Sequence, residues 1–496
     1  MRVFIVVDNR IRIPNASLLP AEVIASLKAT FTHINPQREG KRRMGIAGWQ
    51  GEPEYFYTWD LTPKDEFSVP RGGMPHVRQV FVNAGLSIAV EDRRCSGKLA
   101  KPMTHKVKLR DYQIELMEAA LRTENCILRA PTGSGKTSMA MALAAALSQR
   151  GIRTLVVVST AALHSQWMDR AVKELGLKPE QIGIVQGGKC KLETLTIAMQ
   201  KSLANRAATD QQLLSHFGCV LCDEIQLFAA PTFIAAVDPF PARYRIGVSA
   251  DHRRKDGKEF LIHDEFGVVA AEVNQNKLIK EGHVLDVEIR VVPTQFAAHW
   301  YGAPRTFRNK PTGKVLDVHR LYDEMRDDPE RERLVMGAII AEANDGHQVL
   351  TMSHRVEHCR QIDRACAAAG VRTGLMLGTE DNKAEFDETR AGLVAGKVRV
   401  AAGTYQAIGF GIDLPSAGIV VCATPLASNR QNFGQARGRA CRPFEGKKAR
   451  LYYLWDQHVF GMKHLQNLMA WNNVVKVRVG DRWVDAKEFV RSYRAA

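Results

Sequence analysis

Two rhythms of hydrophobic and polar positions meet near residue 105 of this chain. Before it, short apolar or alternating runs at 3–7, 55–59, 79–82 and 87–90 predict strands, set around one helical stretch at 21–31. That mixture predicts a small α+β module. After it, continuous apolar runs at 155–158, 219–222 and 245–248 are separated by helix-length stretches. Runs that are apolar at nearly every position suit parallel strands covered on both faces, so this region predicts an α/β domain. The pattern lapses at 293–320, where Pro293, Pro304, Pro311 and Gly313 lie among basic residues and predict a linker. Alternation resumes with runs at 349–352, 398–401, 418–422 and 451–454, a second α/β domain. The predicted organisation is a module at 1–104, a first α/β domain at 105–292, a linker and second α/β domain at 293–475, and a C-terminal tail at 476–496.

Charge adds a partner to this picture. Lys and Arg number 69 against 53 Asp and Glu, a formal net charge of +16, which favours a polyanion such as nucleic acid. The basic clusters Lys41-Arg42-Arg43 and Arg93-Arg94 are candidate contacts. So is the mixture of Trp300 and Tyr301 with Arg305, Arg308, Lys310 and Lys314, which combines rings for stacking with cations for phosphate. No apolar run reaches the roughly 18 residues of a membrane span, and the first residues form a strand-like run meeting a charge, not a signal peptide. The expectation is a cytoplasmic protein, nucleoid-associated or viral in a host cell, with no membrane partner. Nine cysteines, an odd number mostly inside apolar runs, fit a reducing compartment. Cys219 and Cys222 have C-x-x-C spacing without a second pair, so core packing is expected of them and not metal binding.

The chemistry concentrates first at 130–137, Ala-Pro-Thr-Gly-Ser-Gly-Lys-Thr. Gly133, Ser134 and Gly135 let successive backbone N–H groups curl around a phosphate, and the helix opening at Lys136 adds its positive end. Lys136 reaches the β- and γ-phosphates of a nucleoside triphosphate, and the Thr137 hydroxyl holds Mg²⁺. The apolar run ending at Cys222 then delivers Asp223 and Glu224 where a parallel strand presents ligands, at its C-terminal edge. Asp223 suits the Mg²⁺ shell and Glu224 suits positioning and deprotonating the attacking water. In the second α/β domain, Gln435 to Arg442 match Q-x-x-G-R-x-x-R. Arg439 and Arg442, three apart, are predicted on one face of a helix, able to reach one anion as arginine fingers.

With this ordered set the chain resembles the superfamily 2 helicases over roughly residues 108–455. The resemblance implies two RecA-like parallel-sheet domains in tandem with the small N-terminal α+β module, ATP and Mg²⁺ as cofactors, and nucleic acid as substrate. It places Arg110 and Gln113 at the adenine-recognising segment and 133–137 at motif I. Residues 158–167, with Thr160, resemble motif Ia, and 196–203, with Thr196, the next strand-contacting motif. Asp223 to Gln226 stand at motif II and Ser249-Ala250-Asp251 at motif III. Arg355 falls in motif IV, Thr404, Gly411 and Asp413 in motif V, and Gln435 in motif VI. The implied nucleic-acid contacts are Thr160, Thr196, Arg355 and Thr404, and Asp413 and Gln435 join the nucleotide-binding set.

Arg254-Lys255-Asp256-Gly257, residues 354–359 and the N-terminal module are similar to the group containing XPB and UvsW, in which such a module contacts DNA. The activity implied is an ATP-dependent DNA helicase or translocase acting on duplex, forked or branched DNA in repair or recombination. A duplex translocase that does not part strands and an RNA helicase are the alternatives, with RNA favoured less. Two positions depart from the usual pattern. Gln226 replaces the last residue of DEAD or DEAH, and Asp251 replaces the threonine of Ser-Ala-Thr. The two motifs normally touch, so Gln226 and Asp251 are expected to pair.

Overall fold

In the computed structural model the chain is described except at residues 1, 44–47, 228–229, 252–255, 308–309, 379, 410–413, 415, 427–429 and 496, and except for the side chains of 230, 231, 233, 305–307, 310–314, 380, 431, 494 and 495. Asp413, Gly411, Arg254, Lys255 and Arg308 therefore lie outside the described residues, as do the side chains of Arg305, Lys310 and Lys314. Two compact units form, one of residues 1–131 and 135–274, the other of 132–134 and 275–496.

The first unit contains two sheets. Its N-terminal part is a five-stranded sheet in the order Asp60–Leu61, Glu66–Pro70, Arg10–Pro14, Arg2–Val7, Ser87–Asp92, whose last two strands are parallel. Ile5, Ile11, Phe67 and Val69 pack there with Leu27, Val77 and Phe81 of the helices Ala21–Thr30 and Met74–Asn83 and with Phe31, the residue that caps the first, all fully buried. The apolar run at 79–82 belongs to that second helix and not to a strand. Val77 and Phe81 recur at helical spacing, and within the run only Phe81 is buried.

The larger sheet runs Lys189–Lys191, Gly183–Gln186, Leu195–Met199, Thr154–Val158, Cys219–Asp223, Tyr244–Ser249, Asn125–Arg129, Val269–Glu272, parallel except for the first edge pair. Its central strands are buried along their length, as continuous apolar runs require. Cys219 and Cys222 are fully buried, burial pushes both thiols up, and all nine cysteines are free.

A polar seam binds the two sheets of this unit. Arg71, 3% exposed, donates through Nε to Asn125 Oδ1 at 2.9 Å and through Nη1 to the carbonyls of Ala242 at 2.6 Å and Asp8 at 3.2 Å. Arg245 donates to Glu265 at 2.7 Å and to the Asn9 carbonyl at 3.1 Å, while His33 and Thr58 both bond Asp264. A Cβ on Gly72 would come within 2.5 Å of backbone atoms of residues 263–267, so only glycine allows this approach. Residues 1–104 thus form a second sheet of a continuous unit rather than a free-standing module. The seam meets strands near their N-terminal ends, at Asn125 and Arg245.

The second unit is built on the order Thr373–Met376, Val400–Thr404, Val349–Ser353, Ile419–Cys422, Arg450–Asp456, Glu288–Thr294, Val475–Val479, Arg482–Asp485, parallel up to its last, antiparallel strand. Two predicted boundaries shift. Residues 275–292 belong here, because Glu288–Thr294 pairs in parallel with strands on both sides and buries Ile289, Val291 and Val292. The stretch 476–496 is no tail: it supplies the last strands and the Ala486–Ala495 helix. Within the predicted linker, Pro304–Phe307 and Lys310–Lys314 pair as a hairpin. Beneath the core, Arg331 donates to Asp456 at 2.8 and 3.2 Å, both side chains being buried, and Thr294 donates to the same carboxylate at 2.7 Å. Among the described residues no helix is long and apolar enough to cross a membrane.

Candidate active site

The Asn125–Arg129 strand, buried through Cys126, Ile127 and Leu128, leads into the glycine-rich loop and then the Lys136–Gln149 helix. Alanine and methionine on most faces let that helix sink into the core, which fixes the loop before it. Gly135 takes a left-handed φ of 78° at the N-cap, and a Cβ there would lie 2.5 Å from Gln113 Nε2. Gln113 is held on both sides: its amide donates to the Gly135 carbonyl at 3.1 Å and its oxygen accepts from the Arg110 backbone N–H at 2.9 Å. The residues expected to read adenine are thereby tied to the phosphate loop. Lys136, 8% exposed, sets Nζ 3.5 Å from the Pro131 carbonyl and 3.7 Å from Glu224 Oε1.

Asp223 and Glu224 stand where the Cys219–Asp223 strand ends. Burial, and then the charge of Glu224, push the Asp223 carboxyl up to about 6. Trp167 Nε1 donates to Asp223 Oδ2 at 2.8 Å. Glu224 holds a φ of 50°, a left-handed conformation that costs a non-glycine residue energy. Its carboxylate accepts from the Gln226 amide, and the Gln226 oxygen in turn accepts from the Ser249 hydroxyl. Ser249 Oγ also accepts from the Asp251 backbone N–H at 3.0 Å. The expected Gln226–Asp251 pair is corrected by this chain. Gln226 lies on a tight turn and reaches Glu224 two residues back and Ser249 at the end of the neighbouring strand, so its amide runs to the Glu224 carboxylate.

A metal would find hard oxygen donors here, the hydroxyl of Thr137 and the carboxylate of Asp223, which are those Mg²⁺ prefers. Burial first, and then the charge of Glu224, disfavour the ionised Asp223 carboxylate, and a cation would relieve both. These residues fit Mg²⁺.

In the second unit the Arg430–Ala440 helix carries Gln435 and Arg439, both buried, and Arg439 donates to the Gly409 carbonyl at 2.8 Å. Arg442 lies two residues past the helix end, so the prediction of both arginines on one helical face is corrected. Arg437 is turned inward, donating to Asn472 Oδ1 at 2.9 Å and to Gln275. Lys447 donates to the Arg442 carbonyl, and burial pushes its ammonium down to about 8.

Of the expected nucleic-acid contacts, Thr160 caps the Ala161–Leu175 helix by accepting from the Leu163 N–H at 3.2 Å, and Thr404 caps Tyr405–Gly409 by accepting from Ala407 N–H. Arg355 pairs with Asp323 at 2.6 Å. Thr196 is a correction: it sits at the second position of Leu195–Met199, away from the strand's C-terminal end, is fully buried, and spends its hydroxyl on Glu193. Lys41, Arg42 and Arg43 end the Pro36–Arg43 helix, paired with Glu52 and Glu39. Trp300 packs under Arg320 and donates to Glu324. A side chain at this site to which the sequence assigns no role is Trp167. An aromatic inside a helix signals core, and its carboxylate partner lies 56 positions away, beyond any local spacing rule.

Residues 106–254 match the family described as "Type III restriction enzyme, res subunit". The "Probable helicase D10" of Escherichia phage T5 is 27% identical over 369 residues, covering 73% of this chain and 74% of that protein. The "DNA 3'-5' helicase XPB" of Mycobacterium tuberculosis is 24% identical over 354 residues, covering 70% of this chain but 60% of that protein's length. Among solved structures, the fragment of a putative HsdR subunit of a type I restriction enzyme from Vibrio vulnificus superposes with a TM-score of 0.55 at 15% identity, over 77% of this chain and 71% of that one. It shares the fold of tandem RecA-like domains.

Proposed function

We propose that this chain, which belongs to the superfamily 2 helicases in the group of XPB and UvsW, hydrolyses ATP to unwind DNA. The observation that carries the reading is the chain of contacts Lys136–Glu224–Gln226–Ser249 across the C-terminal ends of neighbouring strands. Backbone N–H groups of the glycine loop and Lys136 bind the triphosphate, Gln113 lies beside its base, and Glu224 orients and deprotonates the attacking water. Thr137 and Asp223 would hold Mg²⁺, which supplies charge neutralisation on the phosphates. Arg439 and Arg442 stabilise negative charge that grows on the transferred phosphoryl group. Gln226 keeps Glu224 aimed and ties it to motif III, taking the place of the residue missing from the DEAD or DEAH pattern.

The substrate within this reading is duplex, forked or branched DNA, in repair or recombination. Thr160, Thr404 and Arg355 make sequence-independent contacts, the last by exchanging Asp323 for phosphate. Phosphate release with single-stranded, duplex, forked and four-way DNA, and with RNA, tests it beside strand displacement on substrates with a 3' or a 5' tail. DNA must stimulate more than RNA, and strands must part from the 3'-tailed substrate. Stimulation by duplex without displacement identifies a translocase instead, and stronger stimulation by RNA removes the proposal.

A further inference from the structure

We infer that the Ala161–Leu175 helix is the mechanical link between bound nucleic acid and the nucleotide site, with Trp167 as the positioning residue that closes it. The inference rests on the proposed function. Thr160, one of the proposed strand contacts, caps this helix, so a load on Thr160 acts directly on the helix end. Three side chains at 167, 170 and 174 lie along one face, as spacings of three and four residues require. All three hold parts of the nucleotide machinery. Trp167, 1% exposed, donates to Asp223 at 2.8 Å. Arg170 donates to the hydroxyl of Ser138, the residue after Thr137, at 2.8 Å, and that hydroxyl donates to Glu174 at 2.9 Å. Arg170 also bonds Glu174 at 2.7 Å, and His105, just before the adenine-recognising segment, reaches Glu174 at 3.2 Å.

One rigid face thus grips the strand-end carboxylate and the phosphate-loop helix together. A buried indole N–H needs a single acceptor, which any backbone carbonyl could supply. Here it is spent on the carboxylate that fits Mg²⁺. Displacing the helix moves both halves of the nucleotide site, so strand binding changes nucleotide affinity and by reciprocity nucleotide changes affinity for the strand.

The test uses the full chain. Trp167→Phe keeps a ring in the core and removes only the donor; Ser138→Ala cuts the second tie. Affinity for a fluorescent single-stranded oligonucleotide is measured with and without a non-hydrolysable ATP analogue, beside ATPase stimulation by the same oligonucleotide. The wild-type protein should show nucleotide-dependent DNA affinity. In Trp167→Phe the ratio of the two affinities should fall to within about twofold of one, with nucleotide-free affinity held within about twofold. Ser138→Ala should reduce the ratio partway, and it decides the matter if the Trp167 variant does not fold. An unchanged ratio in the folded variants, or a wild-type DNA affinity that ignores nucleotide, overturns the link even when DNA stimulates the ATPase. A wild-type protein that no nucleic acid stimulates defeats the proposed function instead.

Discussion

In the first unit, side chains from two strand ends, a turn and two helices bond to one another: Lys136 to Glu224, Gln226 to Glu224 and Ser249, Trp167 to Asp223. In the second unit the motif cations bond to their own unit's scaffold, Arg355 to Asp323, Arg439 to the Gly409 carbonyl and Arg437 to Asn472. The first arrangement is a preorganised site, with its charges mutually oriented before any ligand arrives. The second stores its cations on partners that a ligand must replace or leave in place. Buried charge is met in two ways: the first unit pairs Arg245 directly with Glu265, as the second pairs Arg331 with Asp456, but also buries an arginine on neutral partners. Arg331 and Asp456 neutralise each other directly, whereas Arg71 at the first unit's seam is bonded to carbonyls and an amide.

The sharpest break of this comparison is Lys136→Ala, which should lower ATP turnover by on the order of 10³-fold while nucleotide-free DNA binding stays near normal. Steady-state phosphate release checks it, and a wild-type rate would show that the preorganised set is not the catalytic one. Arg439→Ala should reduce kcat by on the order of 10²-fold or more with a smaller change in KM for ATP, since it acts on transition-state charge. Lost DNA affinity with normal turnover would make it a nucleic-acid contact.

For stability, Arg331→Met should cost about 3–5 kcal/mol because it strands a buried carboxylate. Arg71→Met leaves only neutral acceptors unmet and should cost about 1–3 kcal/mol. Denaturant unfolding that ranks them in the reverse order breaks the contrast. Removing residues 1–104 is a harsher act than a domain deletion. It strips Arg245 of the Asn9 carbonyl and Asp264 of His33 and Thr58, so loss of folding is expected before any change in substrate choice.

A buried histidine in each unit makes acid destabilising, while the raised Asp223 carboxyl opposes it in the first unit. Burial, aided by Arg153 and Lys98, pushes His216 down to about 4, and burial pushes His464 down to about 4. Both are neutral in the fold and take up protons more readily when unfolded, so stability present at neutral pH is lost as pH falls from about 6.5 towards 4. Melting temperatures from pH 7.5 to 4.5 should fall, and His464→Gln should flatten part of the slope. The smallest effect belongs to the surface. Replacing Lys41, Arg42 and Arg43 by alanine should change stability little, since solvent screens exposed pairs. It should also shallow the salt dependence of duplex binding by up to about 0.9 per lost phosphate contact. An unchanged slope removes this helix from the interface.

The sequence by itself determined the local chemistry. The glycine loop opening a helix, the carboxylate pair ending an apolar strand and the alternation of runs are properties of neighbouring residues, so Lys136, Thr137, Asp223 and Glu224 and the two α/β regions could be read directly. Tertiary structure decided whatever joins distant segments. Strand Glu288–Thr294 belongs to the second sheet because its partners start at 450 and 475, and the final residues supply strands for the same reason. Thr196 is unavailable because its position along a parallel strand, not its motif, sets which end it faces. Arg71 is buried because the seam closes over it, and Gln226 answers to Glu224 and Ser249 because adjacent strands end side by side. Trp167 meets Asp223 across 56 residues, a contact set by how helix packs on sheet.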